Sequence, residues 1–106
     1  MGESPLPFAA TLSTIQLRRC ILDQLYARFR EYPLASIELG QLAEACQATA
    51  PELNWNIVYL QKKGWVELDL GNDCPPYVAC TAALTGAGID LVEAPQAFEE
   101  IFPMPA

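Results

Sequence analysis

PELNWNIVYLQKKGWVELDL, Pro51 to Leu70, reads as a helix that ends on a glycine, followed at once by a strand. Leu53, Ile57 and Leu60 recur at helical spacing, Lys62 and Lys63 crowd the last turn, and Gly64 stands where a helix C-cap belongs. Trp65-Val66-Glu67-Leu68-Asp69-Leu70 then alternates apolar and acidic residues, the period of a strand with one buried face.

Working back from Pro51, Ala48-Thr49-Ala50-Pro51 supplies a turn in which Thr49 caps the helix and Pro51 sits in its first turn. Gly40 to Gln47 is a short helix, with Leu42, Ala43 and Cys46 on one side. Ser36 to Leu39 has the alternation of a short strand. A long helix precedes it, starting at Thr11 or Ser13 and stopping near Glu31 or Tyr32, ahead of Pro33. Ile15, Leu22, Leu25, Tyr26 and Phe29 form its main apolar stripe, widened by Leu17 and Ile21. Arg19 and Asp23, four apart, pair on its exposed side.

Working forward, Gly71 to Pro76 is dense in turn formers and Tyr77 to Leu84 returns as a second strand. Thr85 caps a helix beginning at Gly86, and Pro95 restarts the chain into a segment with Phe98, Ile101 and Phe102 on one face. The expected division is an N-terminal arm (1–10), a central domain (11–94) and a C-terminal helical extension (95–106) packing on the domain or on a dimer partner.

This order resembles the winged helix-turn-helix superfamily of small bacterial and phage regulators, including the MarR and ArsR types, over roughly Ser13 to Glu93. Two phrases carry the resemblance. IVYLQKKGWVEL (Ile57 to Leu68) has a leucine, polar residues, a glycine and an apolar pair; ALTGAGIDLVE (Ala83 to Glu93) has Leu-Thr-x-x-Gly opening a final helix. The resemblance implies an α+β, mostly α fold, with a two- or three-stranded β-wing and an extra C-terminal helix. It also implies DNA contact through the third helix and the wing, often as a homodimer, although other members serve as protein-contact modules. The family's metal-sensing and effector-binding motifs are not visible here.

Composition bounds the alternatives. With 106 residues, 52% of them hydrophobic, the chain is one domain with an ordinary core. No apolar run approaches the ~20 residues of a membrane span, and the N-terminus lacks a basic region followed by an apolar stretch. A soluble cytoplasmic protein with no membrane partner is expected. Cys20, Cys46, Cys74 and Cys80 contain no CxxC pair and histidine is absent, so no metal is expected. The cysteines read as buried thiols; a bridge from Cys74 to Cys80 across the wing is the alternative that a cytosolic setting disfavours. Without a histidine base, a Gly-rich phosphate loop or a nucleophile motif, neither an enzyme nor a cofactor is expected.

Charge complicates the DNA reading. The net charge is −7, all six basic residues precede Gly64, and Glu67, Asp69, Asp73, Asp90, Glu93, Glu99 and Glu100 follow it without a compensating base. If Leu53, Ile57 and Leu60 face the core, Trp55, Val58, Tyr59 and Lys62 project outward. Asn54 and Gln61 then lie on one flank, with Glu52, Asn56 and Lys63 on the other. The candidate DNA- or partner-binding set is Asn54, Trp55, Asn56, Val58, Tyr59, Gln61, Lys62 and Lys63, with Arg18 and Arg19 as candidate phosphate contacts. Asparagine and glutamine can read adenine edges. Lys62 and Lys63 are nevertheless outnumbered by Glu52, Glu67, Asp69 and Asp73. Two functions follow: a DNA-associated regulator, or a protein-interaction module using the Trp55 and Tyr59 face. Coverage of Trp55 or Tyr59 by a terminal segment is the plainer alternative.

Overall fold

The computed structural model describes residues 13–71 and 74–103. The arm at 1–10, Thr11 as a helix start, and Asn72 and Asp73 of the wing tip lie outside them.

Helix α1 (Thr14–Glu31) opens on a capping box: the Gln16 N–H donates to Ser13 Oγ, and Gln16 Oε1 accepts from the Ser13 N–H. Strand β1 (Ile37–Glu38) runs directly into α2 (Leu39–Ala45). Helix α3 (Ala50–Lys62) repeats the capping box with Thr49 and Glu52, and carries a proline in its first turn. Gly64, at φ +83°, turns the chain into β2 (Val66–Asp69). Strand β3 (Thr81–Leu84), α4 (Gly86–Val92) and α5 (Pro95–Ile101) complete the order. The sheet is antiparallel with order β1-β3-β2, Val66 opposite Leu84 and Leu68 opposite Ala82.

The apolar stripes close one core. Leu53, Ile57 and Leu60 of α3 are fully buried, together with Ile21, Leu22 and Leu42. On α1 the centre of the stripe differs from the expectation. Leu17, Ile21, Leu22 and Leu25 are buried, whereas Ile15 is 44% exposed. Thr85 locks the end of β3 to the start of β2: its N–H donates to the Trp65 carbonyl, its hydroxyl donates to the Gly64 carbonyl at 2.6 Å, and the Gly88 N–H donates back to that hydroxyl. Gly88 is buried against the Trp65 carbonyl oxygen, and a Cβ there would overlap it.

Two expectations need correction. The return strand is Thr81–Leu84 only. Residues 74–80 form an irregular strap, closed by the Cys74–Cys80 bond and with the Val78 N–H taken by Asn54 instead of a neighbouring strand. The cysteines are not free thiols: Cys20 is bonded to Cys46 and Cys74 to Cys80. Their Cα separations of 5.9 and 5.3 Å fall within the range a bridge needs.

Helix α5 returns Phe98 and Phe102 to the core, while Ile101 stays 42% exposed. Arg19 of α1 holds this end, donating to the Phe102 carbonyl at 2.6 Å and pairing with Glu99 at 2.8 Å. Its Nε lies 3.7 Å from Asp23, so the expected i,i+4 pair is present, but on an arginine whose side chain is only 15% exposed.

Candidate nucleic-acid interface

The eight candidates on and after α3 divide into those that face solvent and those that the fold uses. Trp55 is 71% exposed, and Gln61, Lys62 and Lys63 are exposed at the helix C-terminus. Lys63 leans back, with Nζ 5.3 Å from the Trp65 ring centroid.

Asn54 is engaged at both ends of its amide. Its Nδ2 donates to the Pro76 carbonyl at 3.0 Å, and its Oδ1 accepts from the Val78 N–H at 2.9 Å. This clamps the strap to α3 and leaves the amide unavailable to a base edge. Asn56 is 6% exposed, so the flank assigned to it is instead the interface with α1. Its Nδ2 donates to the Glu52 carbonyl at 2.7 Å, and its Oδ1 accepts from Arg18 Nε at 2.9 Å. The Arg18 guanidinium carbon also sits 3.6 Å from the Tyr59 ring centroid. Tyr59 is therefore half-covered by α1, with neither terminal segment needed to cover it. Arg18 and Arg19 are both engaged within the fold rather than displayed.

Trp55, Asn54 and Val58 are grouped with four residues that were not among the candidates. Ala50, Pro51, Asn54, Trp55, Val58, Pro76 and Val78 line a groove of about 500 Å³ between α3 and the strap. Val78 is 45% exposed there. The paired prolines at 75 and 76 were the available signal, since they argue against a continuous strand and for a strap that lies against the helix.

The acidic residues of the wing face elsewhere. Val66 points into the core, so Glu67 and Asp69 project from the opposite face of β2 and are exposed. Glu38 and Asp69 are each opposite Thr81, which puts both on that same outer face. The repulsion that these carboxylates would impose on a phosphate backbone is thus displaced from the surface of α3 to the far side of the sheet.

Helix α3 preceded by the short α2, followed by a strand–strap–strand wing and a closing helix, is also the arrangement of a solved regulator. The chain is similar to S. aureus MepR in its DNA-binding conformation, at 26% identity and a TM-score of 0.60, over 79% of this chain and 58% of that one. A MepR mutant from the same organism matches over 91% of this chain and 64% of that one, at 25% identity and a TM-score of 0.60. The fold is a MarR-type winged helix. The chain spans less than two thirds of the length of these relatives. No protein-family model and no curated protein matches it. Within the winged helix, α2 and α3 are the helix-turn-helix pair, and Trp55, Gln61, Lys62 and Lys63 are the candidates left facing outward from the recognition position. No described helix is long and apolar enough to cross a membrane.

Proposed function

We propose that this winged helix is a non-enzymatic, DNA-associated regulator that works in the cytoplasm as a homodimer. The observation that carries the reading is the placement of α3, at the recognition position of a fold shared with MepR. Its contact set is narrower than the sequence suggests. Gln61, Lys62 and Lys63 meet the duplex, while Arg18, Asn56 and Tyr59 hold α3 against α1. With two exposed lysines per protomer, affinity for a generic duplex is weak and depends on presenting both copies.

The test is a titration of a labelled duplex at low salt, with oligomeric state measured in parallel by sedimentation. A regulator gives an affinity that falls steeply as salt rises, and Lys62→Ala with Lys63→Ala flattens that slope by about the number of phosphates released. No binding at tens of micromolar protein would sink the reading.

A second reading is favoured by the Trp55 groove, where a single exposed tryptophan stands among largely apolar neighbours. Under it the same face docks a protein. Trp55→Ala then abolishes complex formation with the partner while the domain keeps its stability. Duplex binding that is unchanged by Trp55→Ala and lost with the two lysines separates the first reading from the second.

A further inference from the structure

We propose that Cys74–Cys80 is a thiol–disulfide exchange site, taking a dithiol as co-substrate and switching the strap at 74–80 between a closed and an open form, while Cys20–Cys46 stays shut. This does not depend on what α3 binds.

Accessibility separates the two bonds, because exchange needs a thiolate to reach a sulfur. Cys46 is 2% exposed, and its partner Cys20, itself partly exposed, sits in the middle of α1 packed against the core, so attack on that bridge is open from one sulfur only and is crowded by regular helix. Those helices also keep the two thiols together after any reduction. Cys74 and Cys80 are each partly exposed and sit on irregular backbone beside exposed Pro75 and Pro76. On one side the bridge is covered by Gly71, at φ +61°, where a Cβ would come within 2.5 Å of Cys80 Sγ. Attack therefore falls on Cys74.

A reductant thiolate bonds to Cys74 Sγ, the Cys74–Cys80 bond breaks, and its electron pair leaves on Cys80, which takes up a proton. The second reductant thiol then attacks the mixed disulfide at the reductant's own sulfur, releasing Cys74 as a thiol. The dithiol is oxidised to a disulfide, and Cys74 and Cys80 are reduced.

The strap gives this reaction a structural output. Its Cys80 end is fixed to the sheet independently of the bridge: the Cys80 N–H donates to the Asp69 carbonyl, the Cys80 carbonyl accepts from the Leu39 N–H, and Ala79 is buried. The Cys74 end has the bridge and, beyond it, the Asn54 clamp on Pro76 and Val78. Opening the bridge leaves that clamp and the packing of half-buried Tyr77 at the edge of the core to hold residues 74–78, so the Val78 amide reports the switch.

The experiment exposes the air-oxidised full chain to graded dithiothreitol without denaturant. Free thiols are mapped by alkylation and mass spectrometry, and hydrogen exchange is followed at Val78. The first two thiols released should be Cys74 and Cys80, with Cys20–Cys46 intact until the reductant is raised about ten-fold. Exchange at Val78 should accelerate about ten-fold over the same range. Release of all four thiols together, release of Cys20 and Cys46 first, or unchanged Val78 exchange with both wing thiols free would overturn the proposal. The double variant Cys74→Ser, Cys80→Ser should exchange fast at Val78 without reductant, and slow exchange in it would count equally against the switch. Should that variant not fold, the thiol order and Val78 exchange of the wild-type chain decide the matter.

Discussion

The Arg18 guanidinium lies 3.6 Å from the Tyr59 ring centroid while its Nε reaches the buried side chain of Asn56 at 2.9 Å. One arginine from the first helix thus holds two residues of α3 that their positions alone assign to its outer face and flank. Asn56→Ala removes an acceptor from a charged donor and leaves the Glu52 carbonyl without that donor, a loss of about 2 kcal/mol in urea denaturation. Tyr59→Phe keeps the ring beneath Arg18 and should stay within about 0.5 kcal/mol of wild type. Equal stability of Asn56→Ala and wild type would place Asn56 back on the surface.

Asn54 should matter to the wing and not to the core. Asn54→Ala deletes both clamp bonds at a half-exposed site, for about 1 kcal/mol of stability. Hydrogen exchange at Val78 should rise while the amides of β2 and β3 keep their protection. A uniform rise across the sheet would mean that the clamp supports the whole fold.

Gly88→Ala should be far more damaging than an ordinary helix glycine substitution. Alanine normally favours a helix by up to about 1 kcal/mol over glycine. Here the added methyl meets the Trp65 carbonyl oxygen and Leu84, and overpacking against backbone costs about 2 kcal/mol or more. Thermal unfolding of Gly88→Ala beside Gly86→Ala, whose Cβ meets nothing within 4 Å, isolates the effect. Equal melting temperatures would show that α4 can shift away from β2.

Asp23 sets a small pH dependence of unusual sign. Partial burial pushes its carboxyl above the ordinary 3.8, Arg19 draws it part of the way back, and Glu99 pushes it up again. The folded chain therefore holds this proton more tightly than the unfolded one. Stability from this group is highest below the unfolded value and declines as pH rises through the folded one. The side chain is 51% exposed, so screening limits the effect to about 0.5 kcal/mol or less. Asp23→Asn should match wild type in strong acid and be marginally more stable at pH 7, as read by denaturant midpoints at both pH values.

The local signals were legible and the distant ones were not. Gly64 as a C-cap, Thr49 and Thr85 as N-caps, and Leu53, Ile57 and Leu60 as a core stripe all rest on neighbours within a few positions, and each appears in the fold. Asn56 is buried because an arginine 38 residues away meets it, and Asn54 is engaged by a strap 22 to 24 residues away. Polar side chains one step from an apolar stripe read as surface until the opposing element is known. The Cys20–Cys46 pairing was hidden for the same reason, since it depends on the approach of α1 to α2, whereas Cys74–Cys80, six residues apart, was visible as the alternative that a cytosolic setting disfavours.

The Cys20–Cys46 bond also limits how a signal can travel. It joins α1 to α2, and Arg18 joins α1 to α3. The first three helices are therefore tied together, two of them covalently. A pivot of one packed helix against its neighbour is one way a domain changes shape. In this chain the disulfide restrains a pivot between α1 and α2, and Arg18 couples a tilt of α3 to α1. Because Arg19 ties α1 to the last helix at Phe102 and Glu99, that tilt would be felt at the C-terminal end of the domain. A change in the seating of α5 is accordingly a lever on α3 that needs no contact with it.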